Sequence, residues 1–112
     1  MTINELVEYQ KKFDSDHKSH FEWNKLIDED SIYILEFLMI ALTGEIGETA
    51  NIVKKIIRGD FKLQEKKEEI AEEIIDIMIY IIKLSYQLDI DIEKEYLNKM
   101  EKNHERFKKY EK

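Results

Sequence analysis

Apolar residues recur every three or four positions along most of the chain, the spacing of helices with one buried face. Four such stretches stand out. The first opens at Thr2-Ile3-Asn4-Glu5, a capping box in which the Thr hydroxyl and the Glu carboxylate each satisfy an end N–H. It is expected to run to about Ser19, with Leu6, Tyr9, Gln10, Phe13 and His17 along one face. Phe21 to Glu29 loses the period and reads as a loop. Asp30 or Ser31 can cap the second helix, which should continue to Arg58 and stop at Gly59, because glycine readily takes the left-handed conformation that ends helices. On that reading Arg58-Gly59-Asp60 is a helix end and not an adhesion tripeptide. After a connection at Asp60 to Gln64, the third helix covers about Glu65 to Leu88. Asp91 then caps a fourth, with Tyr96, Met100, Asn103 and Phe107 on one stripe. The charge-rich tail beyond Phe107 is expected to fray.

Composition narrows the fold. Proline is absent and glycine occurs only 3 times among 112 residues, so a sheet would lack its turn residues. The expectation is an all-α, four-helix antiparallel bundle forming a single domain over residues 1–112. There is no cysteine, which removes disulfides and thiolate metal sites. The formal net charge of -7 disfavours attraction to nucleic acid or to anionic membrane. The longest apolar runs, such as Ile77 to Ile82, are too short to span a bilayer, and the first residues lack a signal-peptide pattern. A cytoplasmic location is expected. A phosphate-bearing ligand would need a cation to bring it to so acidic a chain.

Four carboxylates sit where apolar residues belong. On a helical wheel Leu38, Leu42, Glu45, Thr49, Ile52 and Ile56 share a stripe of the second helix, with Glu48 at its edge. Gly44 and Gly47 flank them. Glycine inside a helix costs ~1 kcal/mol relative to alanine, and close approach of another backbone would justify two in one turn. In the third helix Ile70, Ile74, Ile77, Ile81, Leu84 and Leu88 make the stripe, and Glu73 and Asp76 lie beside it with Tyr80. Facing i,i+3 pairs would repel and raise one another's pKa, and a divalent cation relieves that cost. All-oxygen ligation suits magnesium, calcium or manganese, not zinc or copper.

The order of these residues resembles the MazG-like all-α nucleoside triphosphate pyrophosphohydrolase superfamily. Its E-x-x-E, spacer, E-x-x-D pattern stands as Glu45-Ile46-Gly47-Glu48 and Glu73-Ile74-Ile75-Asp76. Leu42-Thr43-Gly44 leads into the first pair. Asn98 to Phe107 resembles the closing K-x-x-x-N-x-x-R-aromatic stretch, although Lys108 stands where a proline is usual. The resemblance implies that Glu45, Glu48, Glu73 and Asp76 bind Mg2+, with Mn2+ as a possible substitute. It implies that Lys99, Asn103 and Arg106 on one face of the fourth helix contact the phosphates, with Lys55 or Lys54 as a further contact. It places an N-terminal aromatic against the base, and Trp23 is the candidate, with Phe13, His17 or His20 nearby. The implied reaction is attack of water on the α-phosphorus of a nucleoside triphosphate, with a site carboxylate as base, releasing pyrophosphate and a monophosphate. House-cleaning of aberrant nucleotides is the implied role.

Two other readings compete. Glu101-Lys102-Asn103-His104 and Asp14-Ser15-Asp16-His17 have or approach the Glu-x-x-His spacing of di-iron bundles, but both lie in strongly polar segments. A non-catalytic helical dimerisation or regulatory module is the other. Finally, Ile75, Met78, Ile79 and Ile82 occupy faces of the third helix away from its main stripe, and Phe37, Met39, Ile46, Val53 and Ile57 do the same on the second. One small chain cannot cover so much apolar surface while keeping a nucleotide cleft, so a homodimer or homotetramer with its active site near the interface is expected.

Overall fold

In the computed structural model the chain forms α1 (Ile3–Asp16), α2 (Ile32–Arg58), α3 (Leu63–Gln87) and α4 (Ile92–Arg106), followed by a 3-10 turn at Lys108–Tyr110. The structure describes residues 1–17 and 23–110, and among these there is no strand. The all-α expectation holds.

Several helix ends have a local cause. Thr2 Oγ1 accepts from the Glu5 N–H at 3.1 Å while Glu5 Oε1 accepts from the Thr2 N–H at 3.2 Å, completing the capping box of α1. α1 ends at Asp16, short of the expected limit; Ser19 itself lies outside the described residues. Ser31 precedes α2, yet its hydroxyl does not cap the helix. It is occupied in the preceding turn, accepting from the Asp28 N–H at 2.8 Å and lying 3.0 Å from Asp28 Oδ1. The Ser31 hydroxyl, and after it the Asp30 N–H, donate to the Asp28 carboxylate and hold it below its ordinary pKa. Gly59 ends α2 with φ 93°, its N–H bonded to the Ile56 carbonyl, and Arg58 pairs with Asp60 beside it. The Arg-Gly-Asp run is thus a helix terminus. α3 starts slightly early, at Leu63. Asp91 caps α4 by accepting from the Lys94 N–H at 3.1 Å. The tail beyond Phe107 does not simply fray, since residues 108–110 close a 3-10 turn.

α2 and α3 form the principal helix pair, α1 lies along α3, and α4 packs on α1 and α3 but, among the described residues, not on α2. Among the described residues, Ile34, Leu38 and Ile82 are the buried apolar side chains. The expected stripe of α2 turns inward; that of α3 does so in part, with Ile70, Ile77, Leu84 and Leu88 half-buried but Ile74 and Ile81 exposed, while Ile82, Lys83, Ser85 and Gln87 are buried. A Cβ at Gly44 or Gly47 would meet nothing within 4 Å, so no backbone of the chain's described part crosses there, contrary to expectation.

The interior is unusually polar. Asp14 and Lys83, both almost fully buried, form an ion pair at 2.7 Å that ties α1 to α3. Gln10 donates to the second oxygen of Asp14 at 3.0 Å, and the Tyr86 hydroxyl also donates to Asp14. Burial, then this bond and the charge of Asp14, raise the Tyr86 hydroxyl well above its ordinary pKa. Gln87 pins the loop before α2: its side-chain amide donates to the carbonyls of Trp23 and Lys25 at 2.8 and 3.0 Å, and its main-chain carbonyl accepts from the Ile27 N–H.

Candidate active site

Consecutive turns of α2 and α3 carry the acidic residues toward one another. Glu45, Glu73 and Asp76 each offer a carboxylate oxygen, and these oxygens lie within 4.8 Å of one another. All three side chains are half-buried. Glu45 Oε2 and Glu73 Oε2 are buried and, among the described residues, have no hydrogen-bond partner. Two orphaned anionic oxygens side by side are costly unless a proton or a cation lies between them. The Glu73 carboxyl accordingly has its pKa pushed up to about 7. A hydrogen bond to Glu45, which exists only when a proton is shared, is the largest cause; partial burial and the charges of Glu45, Glu48 and Asp76 follow. Tyr80 flanks the cluster, and its hydroxyl is raised by burial and then by Glu45 and Asp76. This donor set, oxygen only and without histidine among the described residues, fits a hard divalent cation such as magnesium or manganese.

The sequence-predicted residues fall into three groups. Glu45, Glu73 and Asp76 come together as expected. Glu48 is exposed and outside the trio, although near enough for its charge to act on Glu73. Trp23 and Phe13 line a cavity of about 410 Å³ that opens beside the trio, together with Glu45, Asp76, Ile79, Tyr80 and Lys83. His17 stacks on Phe13, with ring centroids 4.2 Å apart, but belongs to a neighbouring depression. His20 lies outside the described residues. Lys99 and Arg106 are exposed on α4, Asn103 is half-buried there, and Lys55 is half-buried near the end of α2. None of these four, nor Lys54, lines the cavity. The Glu-x-x-His run of α4 is not part of the acidic trio.

Sequence reasoning missed the polar floor of the cavity, made by Gln10, Asp14 and Lys83. The available signal was a lysine inside the apolar run from Ile77 to Leu88. A charge there must be paired.

The two longest helices of an all-α chain thus bring three carboxylates together, an arrangement able to hold a divalent cation. Residues 35–110 match the MazG nucleotide pyrophosphohydrolase domain, and the chain belongs to that family. Among its relatives, the gene 37 protein of Mycobacterium phage L5 is 37% identical over 84 residues, covering 70% of this chain and 74% of that protein. dCTP pyrophosphatase 1 of Rattus norvegicus is 28% identical over 92 residues, 79% of this chain, which spans only 54% of the rat protein. No solved structure matches the chain. No helix of the described residues is long and apolar enough to cross a membrane.

Proposed function

We propose that the protein is a magnesium-dependent pyrophosphohydrolase that converts a nucleoside triphosphate and water to the monophosphate and pyrophosphate, clearing aberrant nucleotides from the cytoplasmic pool. The observation that carries this reading is the carboxylate trio with its two orphaned buried oxygens, set in a chain of the MazG family. The name of the rat relative supports a nucleotide substrate. That α1 supplies part of the cavity wall supports treating residues 1–112 as one functional domain.

Glu45, Glu73 and Asp76 would hold the ion, with Glu48 reaching it from the exposed side. Magnesium, with manganese able to replace it, supplies charge neutralisation of the triphosphate and polarisation of the α-phosphorus. The chain's own part is to orient and to move a proton. Trp23 and Phe13 enclose the base, and a carboxylate of the cluster accepts the proton of the attacking water. The α–β phosphoanhydride bond breaks and pyrophosphate leaves with its electron pair. Incubation with magnesium and a deoxynucleoside triphosphate panel tests this: pyrophosphate and a monophosphate are expected, and orthophosphate with a diphosphate as first products contradicts it.

Metal binding only to the folded chain should also stabilise it, by ~2.7 kcal/mol at a hundredfold excess over Kd. Thermal melts at matched ionic strength should therefore move upward with millimolar magnesium. An indifferent Tm counts against a converged site.

The working unit we infer is a homodimer or homotetramer. The chain exposes 8921 Å². A compact monomer of its mass exposes about 6,600 Å². Its radius of gyration is 17.4 Å, against about 13 Å for a compact chain of this length. Ile40, Ile46, Ile57 and Ile74 are each about half exposed or more. The excess surface is of the order that an obligate interface buries. Assembly would also offer Lys99, Asn103 and Arg106, which do not line the cavity of their own chain, a route to the phosphates, with Lys55 as an additional contact. Light scattering at micromolar concentration should find no 13.6 kDa species; an active monomer would contradict the assignment.

A further inference from the structure

Trp23 belongs to residues 23–31, which precede α2 without helix or strand. A wall built on such a segment costs affinity if it must be ordered at each binding event. Helix α3 supplies the order in advance. Gln87, wholly buried, clamps the main chain: its side-chain amide donates to the Trp23 and Lys25 carbonyls, and its main-chain carbonyl accepts from the Ile27 N–H at 2.7 Å. One turn earlier on the same face of α3, Lys83 meets the ring. Its ammonium lies 4.3 Å from the centre of the Trp23 ring and 5.9 Å from that of Tyr86.

Lys83 is too enclosed to meet a ligand itself. Trp23, half-buried, can: it shares the cavity wall with Phe13, Ile79 and Tyr80, beside Glu45 and Asp76. The ion pair of Lys83 with Asp14 needs a reason besides stability. Well-packed apolar side chains in place of a buried pair are often as stable or more so, because removing both charges from water offsets their attraction. What such a replacement lacks is a cation at the indole face. An ammonium stripped of water is drawn strongly to an aromatic ring, and among the described residues Asp14 is the one hydrogen-bond acceptor of Lys83.

We propose that Lys83, held by Asp14, and Gln87 are positioning residues for substrate binding, which fix the Trp23 ring in the cavity wall at a set distance from the carboxylate trio. This role rests on the pyrophosphohydrolase reading above, in which Trp23 encloses the base. One rigid helix sets the distance. Asp76, Lys83 and Gln87 are spaced i, i+7 and i+11 on α3, so the ring clamp lies about 10 Å and the main-chain clamp about 16 Å along the axis from Asp76. Metal-bound phosphates at one end and a stacked base at the other are thereby held in register before the nucleotide arrives.

The test is a cycle between the ion pair and the ring, read with magnesium and whichever deoxynucleoside triphosphate the intact chain hydrolyses best. The paired variant Asp14→Asn with Lys83→Met leaves no buried charge alone, and circular dichroism verifies that it is folded. Its KM should rise about tenfold, with the larger part of the loss in KM and not in kcat. Trp23→Ala should raise KM by itself, and adding the paired change to it should raise KM by less than about threefold more, since residues acting through one another are not additive. Trp23 is the one tryptophan, so emission reports on the ring alone: its anisotropy should fall in the paired variant. The same rise in KM from the paired change with and without Trp23 shows a merely structural pair and overturns the proposal, as does an unchanged KM in the folded variant; both leave the pyrophosphohydrolase reading in place. Failure of the intact chain to hydrolyse any nucleotide overturns both. If the paired variant does not fold, time-resolved anisotropy of the intact chain decides. A ring already held shows no fast local motion before nucleotide is added; fast motion that nucleotide suppresses overturns the proposal.

Discussion

Glu73→Gln should lower kcat by at least about a hundredfold with its helix content intact, exceeding what loss of a residue that merely supports a metal ligand costs. Glu45→Gln should do the same. Both side chains present buried oxygens that no protein donor satisfies, so nothing structural depends on their charge. Stability of the metal-free protein should move the other way, because the amide removes one member of a repelling cluster. The pH dependence follows from the raised carboxyl. Glu73 titrates at about 7 in the folded chain and at 4.5 in the absence of its surroundings. Between those values the folded state holds the extra proton, so its contribution to stability falls as pH rises from about 4.5 to about 7. Melts of the metal-free protein across that window should decline in Tm, and Glu73→Gln should flatten the decline. Magnesium must displace that proton, so its affinity should weaken below pH 7. Near-native turnover in either variant would remove these residues from the site.

Lys83→Met alone is expected to cost ~3–5 kcal/mol, because it leaves the Asp14 carboxylate buried without its cation. Asp14 and Lys83 are 1% and 2% exposed, so solvent cannot compensate for the loss. Asp14→Asn combined with Lys83→Met should recover much of that cost, since the amide oxygen still accepts from Tyr86 and Gln10. Urea unfolding of the single and paired variants measures the difference. A single variant as stable as the native chain would mean that the pair opens to water in solution.

The contrast between these two predictions marks what the sequence could disclose. The acidic trio was legible because the pairs Glu45/Glu48 and Glu73/Asp76 interrupt apolar periodicity at i,i+3 spacing, a pattern confined to single helices and readable along the chain, although Glu48 stays outside the trio. The boundaries at Gly59 and Asp91 were legible for the same local reason. Partners distant in sequence were not. Nothing near Asp14 states that it meets Lys83, and nothing near Gln87 states that it anchors Trp23 and Lys25. The isoleucine stripe of α3 misled about the single chain. Its periodicity reports every face that something must cover, and cannot say whether the cover is Leu38 of the same chain or another subunit. The same ambiguity surrounds Lys99, Asn103 and Arg106. Their i, i+4, i+7 spacing was readable as a face of α4, but its distance from Glu45 was not.

The most direct test of the central claim follows the attacking oxygen. Hydrolysis of a preferred triphosphate in water enriched in oxygen-18, with magnesium present and products resolved by mass spectrometry, assigns the bond that breaks. Attack at the α-phosphorus, driven by the site of Glu45, Glu73 and Asp76, places the label in the nucleoside monophosphate and leaves pyrophosphate unlabelled. Label in pyrophosphate or release of labelled orthophosphate would place the attack on another phosphorus and contradict the account.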